Sequence, residues 1–170
     1  MTQKLTITEA LAEIKTVGKR LETKRQFINT SFAGDSRLRD PYAEEGGWTT
    51  KIRRELQAID DLEERIVKLR SGIATANAAT TLTMHGTTRT LSDWLVWRRE
   101  VAPTTLGFYR GLRAGLEKAR AHKFDANEEA RVDLYIDPET VQERLERMDM
   151  ILGELDGKLS LLNATTFIDL

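Results

Sequence analysis

The chain has 170 residues, of which 31% are charged and 40% hydrophobic, and its net charge is −1. This length allows one domain with a buried core, so we expect a single helical domain over residues 1–170. The chain lacks cysteine, which excludes disulfides and thiolate metal sites, and its balanced charge gives no reason to expect nucleic acid as a partner.

Residues 8–28 are predicted to form the first helix. Thr6 can cap it, and Glu9, three residues on, completes a capping box. The predicted buried stripe steps by three and four residues through Leu11, Ile14, Gly18, Leu21, Arg25 and Ile28. Residues 29–47 follow as an irregular loop, because they contain three glycines and Asp40-Pro41.

A second helix is predicted from about Trp48 to about Ala76. Its apolar residues keep a heptad rhythm: Ile52, Leu56, Ile59, Leu62, Ile66, Leu69, Ile73 and Ala76. Residues 78–90 predict a β-hairpin or extended loop, because threonines alternate with apolar residues around a His85-Gly86 turn.

Thr90 and Asp93 predict a capping box for a third helix, which runs to about His122. Its buried side should comprise Leu91, Trp94, Val101, Leu106, Tyr109, Leu112 and Leu116. Pro103 lies inside this helix, where proline costs about 3 kcal/mol unless the helix adapts. We therefore expect a kink near Val101 or two helices end to end.

Residues 124–136 predict a link with a short strand at 131–136, where apolar and polar residues alternate. Asp137-Pro138-Glu139 predicts the start of a fourth helix. Its heptad stripe is Val141, Leu145, Met148, Leu152, Leu155, Leu159 and Leu162. The predicted fold is mainly α, an antiparallel bundle of about four long helices with coiled-coil-like seams. The hairpin, the strand near Leu134 and the tail 167–170 could form a small sheet.

Asparagine and threonine recur where three helices are predicted to end: Asn29, Asn77, Asn163, Thr80 and Thr165. One interpretation is three similar C-caps, since asparagine enters the left-handed conformation more readily than most residues. The other is a polar rim at one pole of the bundle.

The third and fourth helices differ in charge. Seven basic residues lie between Arg98 and Lys123, and seven acidic residues lie between Asp137 and Asp156. These charges either flank an antiparallel seam within the chain or leave a basic helix free to meet an acidic partner or a phosphate backbone. The start of the third helix is apolar nearly all round, so we predict a deep core or a subunit interface at Trp94, Leu95, Trp97 and Val101.

The sequence shows no catalytic or metal-binding motif. His85 and His122 lack further ligands at metal-site spacing, and no serine stands in a nucleophile elbow. We expect no cofactor and no enzymatic activity.

The order of motifs resembles the septicolysin-like family, small helical proteins of bacteria and some phages. The resemblance covers nearly the whole chain and rests on residues 76–80 (Ala-Asn-x-x-Thr), on 90–93 (Thr-Leu-Ser-Asp) and on 162–166 (Leu-Asn-x-Thr-Thr). Pro103 and the basic piece at residues 37–39 depart from the pattern. The resemblance implies a helical fold, and the family label implies pore formation.

Three functions are therefore open. The first is an oligomerising structural or interaction protein, whose partners are itself and other proteins of an assembly such as a phage particle. The second is a module that binds a small anionic, nucleotide-like ligand. The third is a pore-forming protein. No apolar run approaches the roughly 20 residues of a membrane span, and we expect a cytoplasmic location, with a virion as the alternative.

Overall fold

The computed structural model describes residues 4–35, 37–125 and 133–170, with the backbone alone at 122–125. The chain divides into two compact units. Unit 1 comprises Met1–Ala76 and Leu162–Leu170, and unit 2 comprises Asn77–Leu161. The fold is mainly α-helical with small antiparallel strand pairs, which confirms the predicted fold class.

Unit 1 is built on two antiparallel helices, α1 (Ile7–Ser31) and most of α2 (Gly47–Ala79). Ion pairs fix their direction, because Lys24, late in α1, pairs with Glu55 near the start of α2. Glu13, early in α1, pairs with Arg65 further along α2 at 2.7 Å. The loop between the helices contains a single 3-10 turn over Ala43–Glu45.

The N-terminus of α1 is fixed by the predicted capping box. The backbone N–H of Glu9 donates to Thr6 Oγ1 at 3.2 Å, and the Thr6 N–H donates to the Glu9 carboxylate at 2.8 Å. The predicted buried stripe is wrong in this first half, because Leu11 is 47% exposed. Ala10 faces inward instead, and as a small residue it permits close packing beside Leu69.

Unit 1 also contains a two-stranded sheet, of which the sequence predicted the tail strand but not its partner. β1 (Lys4–Thr6) pairs antiparallel with β4 (Phe167–Asp169), with Leu5 opposite Ile168. Ile168 is 3% exposed and joins the core cluster with Ile7. An added Cβ on Gly72 would lie only 3.2 Å from the Ile168 side chain, so glycine allows α2 to approach this strand.

The other expected members of that sheet are placed differently. The hairpin forms its own two-stranded sheet, separate from the tail. The expected strand at 131–136 lies partly outside the described residues, and 133–136 are irregular. The error arose because alternation over so few residues does not distinguish a strand from an irregular link.

Most of the heptad positions of α2 are only partly covered. Ile59 and Leu69 are buried, whereas Leu56 is 48% exposed. The two-helix arrangement explains this, because one neighbouring helix covers a narrower face than a multi-helix core does.

Unit 2 begins with the predicted hairpin, β2 (Thr81–Met84) and β3 (Thr87–Thr90). His85 (φ 47°) and Gly86 (φ 78°) form its turn with left-handed backbone angles, which suit the twist of a two-residue hairpin. Thr90 then caps α3 (Leu91–Val96) by accepting from the Asp93 N–H at 3.1 Å, as the sequence predicts.

A π-helical turn over Trp97–Val101 joins α3 to α4 (Ala102–Asp125). The N–H of Ala102 donates to the Trp97 carbonyl, five residues back. Pro103 follows directly, and the wider turn gives its ring room. The expectation of two helices end to end is thus close to the structure. The burial of Val101 was wrong, because the extra residue turns Ala102 inward (1% exposed) and leaves Val101 47% exposed.

The last helix, α5 (Pro138–Thr165), begins where the sequence predicts, with the Glu139 N–H donating to Asp137 at 3.2 Å. It runs antiparallel to α3 and α4. Arg98 pairs with Asp156 at 2.7 Å, and Arg113 Nη1 donates to Gln142 at 3.4 Å. These contacts favour the interpretation in which the charges flank a seam within the chain. The predicted stripe is confirmed, since its buried members are Val141, Leu145, Leu155 and Leu159.

Candidate functional site

The described residues provide no prepared metal site. Within them, no group of three His, Asp or Glu side chains could hold a metal ion. No helix in the same part of the chain is long and apolar enough to cross a membrane. The candidate sites are the exposed apolar faces and the clefts.

The predicted interface residues lie on α3 and the π-turn of unit 2. Trp94 is 3% exposed, and its Nε1 donates to the Leu82 carbonyl at 3.1 Å. The Arg89 guanidinium lies 5.0 Å from the centre of the Trp94 ring. Trp94 thus anchors the hairpin to the helix within its own unit.

The other predicted interface residues are more open. Trp97 is half-buried and meets Trp94 edge-to-face, with ring centres 5.6 Å apart. Leu95 is also half-buried, and Val101 is exposed. The apolar cluster is therefore split between a core residue and a partly open edge.

The predicted polar-rim residues lie at or near helix ends. Asn77 and Asn163 are half-buried in the last turns of α2 and α5, whereas Asn29 is exposed in the last turn of α1. Thr80 follows α2, and Thr165 ends α5. His85 is the only described non-glycine residue with positive φ. The left-handed asparagine cap is thus wrong, because the three asparagines keep helical angles.

The Asn77 side chain has an unusual environment. Its Oδ1 is buried without a hydrogen-bond partner in the described part of the chain. A buried carbonyl oxygen without a partner is uncommon.

Two helix faces of unit 2 are uncovered by the described residues. On α4 and the last residue of the π-turn, a second stripe with heptad spacing contains exposed or half-buried residues only: Val101, Thr105, Phe108, Leu112, Gly115 and Ala119. We call it the open stripe. Phe108 is its most exposed large side chain, at 62%. On α5, Met150 is 59% exposed and shares the outer face with Gly153 and Gly157. Sequence reasoning did not separate this stripe from the core, because it traced one apolar face per helix and assigned Val101 and Leu112 to that buried face.

A charged cleft of about 630 Å³ lies between α1 and α2 in unit 1. Its centre is Glu55, whose side chain is only 14% exposed and pairs with Lys24 and Lys51. Hydrogen bonds from Lys24 and then Lys51 lower the pKa of the Glu55 carboxyl. Glu55 in turn raises the pKa of Lys51. The cleft wall also carries Arg20 and Asp61.

Aromatic rings form one end of the charged cleft. The Lys51 ammonium lies 5.7 Å from the Phe27 ring centre and 5.6 Å from that of Tyr42. Trp48 stacks on Phe27 at 6.1 Å and meets Tyr42 edge-on at 4.7 Å. Sequence reasoning missed this cleft, because Tyr42 lies in the irregular loop and no helical pattern connects it to Phe27.

The fold defines a class, a mainly helical protein with two antiparallel helix pairs, each accompanied by a two-stranded sheet. No family model, curated protein or solved structure matches the chain. The resemblance to the septicolysin-like family therefore rests on the sequence motifs alone.

Proposed function

We propose that this protein is a non-enzymatic helical building block that associates with copies of itself within a larger assembly. The observation that carries the proposal is the open stripe of α4, together with Met150 on the outer face of α5. Phe108 and Met150 expose 62% and 59% of their surface. Large apolar side chains set on a regular helical spacing are typical of a contact with another helix.

The energy available from such a contact is substantial. Fully burying one large apolar side chain contributes about 1.5–3 kcal/mol. Val101, Phe108 and Met150 are partly covered already, so each would contribute less than this. Because a factor of ten in affinity requires about 1.4 kcal/mol, burying each of these three side chains would strengthen self-association several-fold.

Size-exclusion chromatography with light scattering tests this proposal on Phe108→Ser combined with Met150→Ser. We expect the parent to be an oligomer at micromolar concentration and the double variant to dissociate at least about tenfold more readily. The matched control is Val67→Ser on α2, where valine is 64% exposed. A monomeric parent, or an equal loss in the control, would contradict the proposal.

A second candidate function, binding of a small anionic ligand, is favoured by the charged cleft. Arg20, Lys24 and Lys51 bring three cations to its wall against two carboxylates, and aromatic rings close one end. This combination suits a ligand with an anionic group and a flat ring. The proposed binding site is therefore the charged cleft and not the polar rim of asparagines and threonines.

Thermal unfolding in the presence of ATP, and separately of inorganic phosphate, tests this second function. A ligand that binds only the folded protein raises Tm. We expect a rise of a few degrees with millimolar ATP, which Arg20→Gln combined with Lys24→Gln should abolish. Arg53→Gln combined with Arg54→Gln, exposed on α2, is the control. An unchanged Tm with both probes would exclude this candidate.

A further inference from the structure

The two sheets have the same design. In unit 1, Thr6 lies opposite Phe167 and Leu5 opposite Ile168. In unit 2, Thr90 lies opposite Thr81 and Arg89 opposite Leu82. The threonine in each case is also the N-cap of the following helix, with an acidic residue three positions on.

The backbone joins the sheet to the helices in the same way. Ile7, directly after its cap, donates its N–H to the Thr166 carbonyl at 3.0 Å. Leu91, directly after the other cap, donates to the Thr80 carbonyl at 2.7 Å. Thr80 and Thr166 both end the sequence Asn-Ala-x-Thr, at residues 77–80 and 163–166.

The buried residues follow the same correspondence. The first two buried positions of α1 have buried equivalents 84 residues later, Ile7 with Leu91 and Ala10 with Trp94. After the π-turn the separation becomes 85, which relates Val17 to Ala102 and Leu21 to Leu106. Between α2 and α5 the separation is 86 residues, so Ile59 corresponds to Leu145 and Leu69 to Leu155.

Burial also agrees at the remaining positions. The core of the described residues has four further members, Met84, Val141, Leu159 and Ile168. Their equivalents at the same separation are all half-buried: Leu170, Glu55, Ile73 and Leu82. Heptad spacing alone could align two helices by chance, but it would not reproduce strand register, cap and helix end together.

We infer that the chain is two copies of one β-α-α-β half fused in tandem, and that the halves bind each other by exchanging their last strands. The first half covers residues 4–84 and the second covers 87–169. β2 leaves the first half to pair with β3 of the second, and β4 returns to pair with β1 of the first. The partner that fits β1 is therefore the last strand of a second copy of its own half.

The inference explains the π-turn. One inserted residue in the first helix of the second half would shift every later side chain out of register. The π-turn absorbs that residue, since the pattern of buried positions resumes at Ala102.

A circularly permuted chain tests whether the strand pairs β1–β4 and β2–β3 are equivalent. The variant begins at Thr87, runs to Leu170, continues through the transplanted turn residues His-Gly into Gln3 and ends at Met84. If the β1–β4 pair is equivalent to the β2–β3 pair, moving the connecting turn from one pair to the other preserves the fold. We expect unchanged helical circular dichroism and a Tm within about 5 °C of the parent.

The control is a chain with the same His-Gly joint but opened inside α2, between Asp60 and Asp61, and its Tm should fall by at least about 15 °C. Loss of cooperative unfolding in the hairpin permutant, or equal losses in both chains, would overturn the inference.

A second measurement uses the unpermuted chain, which has no cysteine of its own. Thr83 faces Thr88 in one sheet, and Lys4 faces Asp169 at the equivalent position of the other sheet. The Thr83 and Thr88 hydroxyls lie 2.7 Å apart, and Lys4 Nζ lies 4.0 Å from Asp169 Oδ1. We expect Lys4→Cys with Asp169→Cys to oxidise within one chain, as Thr83→Cys with Thr88→Cys does. If Lys4→Cys with Asp169→Cys formed only intermolecular disulfides, or none, the inference would be overturned.

Discussion

The two halves differ in chemistry at Glu55. Its equivalent in the second half is Val141, which is 1% exposed. Lys24, its partner across the helices, corresponds to Tyr109. Because the second half packs without this ion pair, the fold itself does not require it. A polar pair in a position that apolar residues can fill makes the charged cleft a candidate for function.

The pH dependence of stability should reveal Glu55. Since its pKa is lower in the folded protein than its ordinary value of about 4.5, ionised Glu55 stabilises the fold above that pH. The contribution disappears as pH falls through the lowered folded-state pKa. We expect Glu55→Gln to cost about 1–2 kcal/mol at pH 7 and progressively less as pH falls below 4.5, measured by urea unfolding.

Glu64→Gln provides the comparison for Glu55. Glu64 lies on the same helix, and its side chain is 65% exposed while it pairs with Lys68. An exposed pair of this kind contributes about 0–1 kcal/mol. Equal, pH-independent effects of the two substitutions would show that Glu55 is not stabilised by its lysines.

At the scale of elements, the sequence contained the signals that mark helix starts, but it did not show reliably which residues of each helix face inward. Thr6, Thr90 and Asp137 marked three helix starts correctly, because each cap is recognisable within four residues. The buried face near Val101 was misassigned, because a π-turn adds a residue without a sequence signature. The charged cleft was missed because Tyr42 reaches it from an irregular loop.

Pro103 belongs to this scale, and its substitution is predicted to have a small effect. A proline inside a regular helix costs about 3 kcal/mol, but Pro103 stands directly after the π-turn, near the start of α4. We therefore expect Pro103→Ala to change the free energy of unfolding by less than about 1 kcal/mol.

Ala114→Pro is the matching substitution within the same helix, where alanine is exposed in a regular segment. It should cost about 3 kcal/mol in the same urea titration. A large gain in stability from Pro103→Ala would mean that the π-turn does not accommodate the proline.

At the scale of the whole molecule, helix spacing predicted the fold class but not which segments pair. β1 and β4 are three residues each and stand more than 160 residues apart, so no local pattern connects them. Their pairing depends on the packing of Ile168 against Ile7 and Leu69, which only the folded chain shows. The repeated asparagine and threonine motifs at residues 77–80 and 163–166 are the sequence signal for the equivalence of the halves. Most equivalent core positions carry different residues in the two halves, although Leu21 matches Leu106 and Leu69 matches Leu155.

The β1–β4 pair has a mechanical consequence. Lys4 and Asp169 face each other at the same end of the ladder, next to where the strands leave the sheet. Tension applied between these two residues would break the facing residue pairs one after another, starting at Lys4 and Asp169, rather than shearing all pairs at once. Peeling off β4 would uncover Ile7 and Ile168. The first event under load would therefore be the opening of unit 1 at its sheet, before either of its helices unwinds.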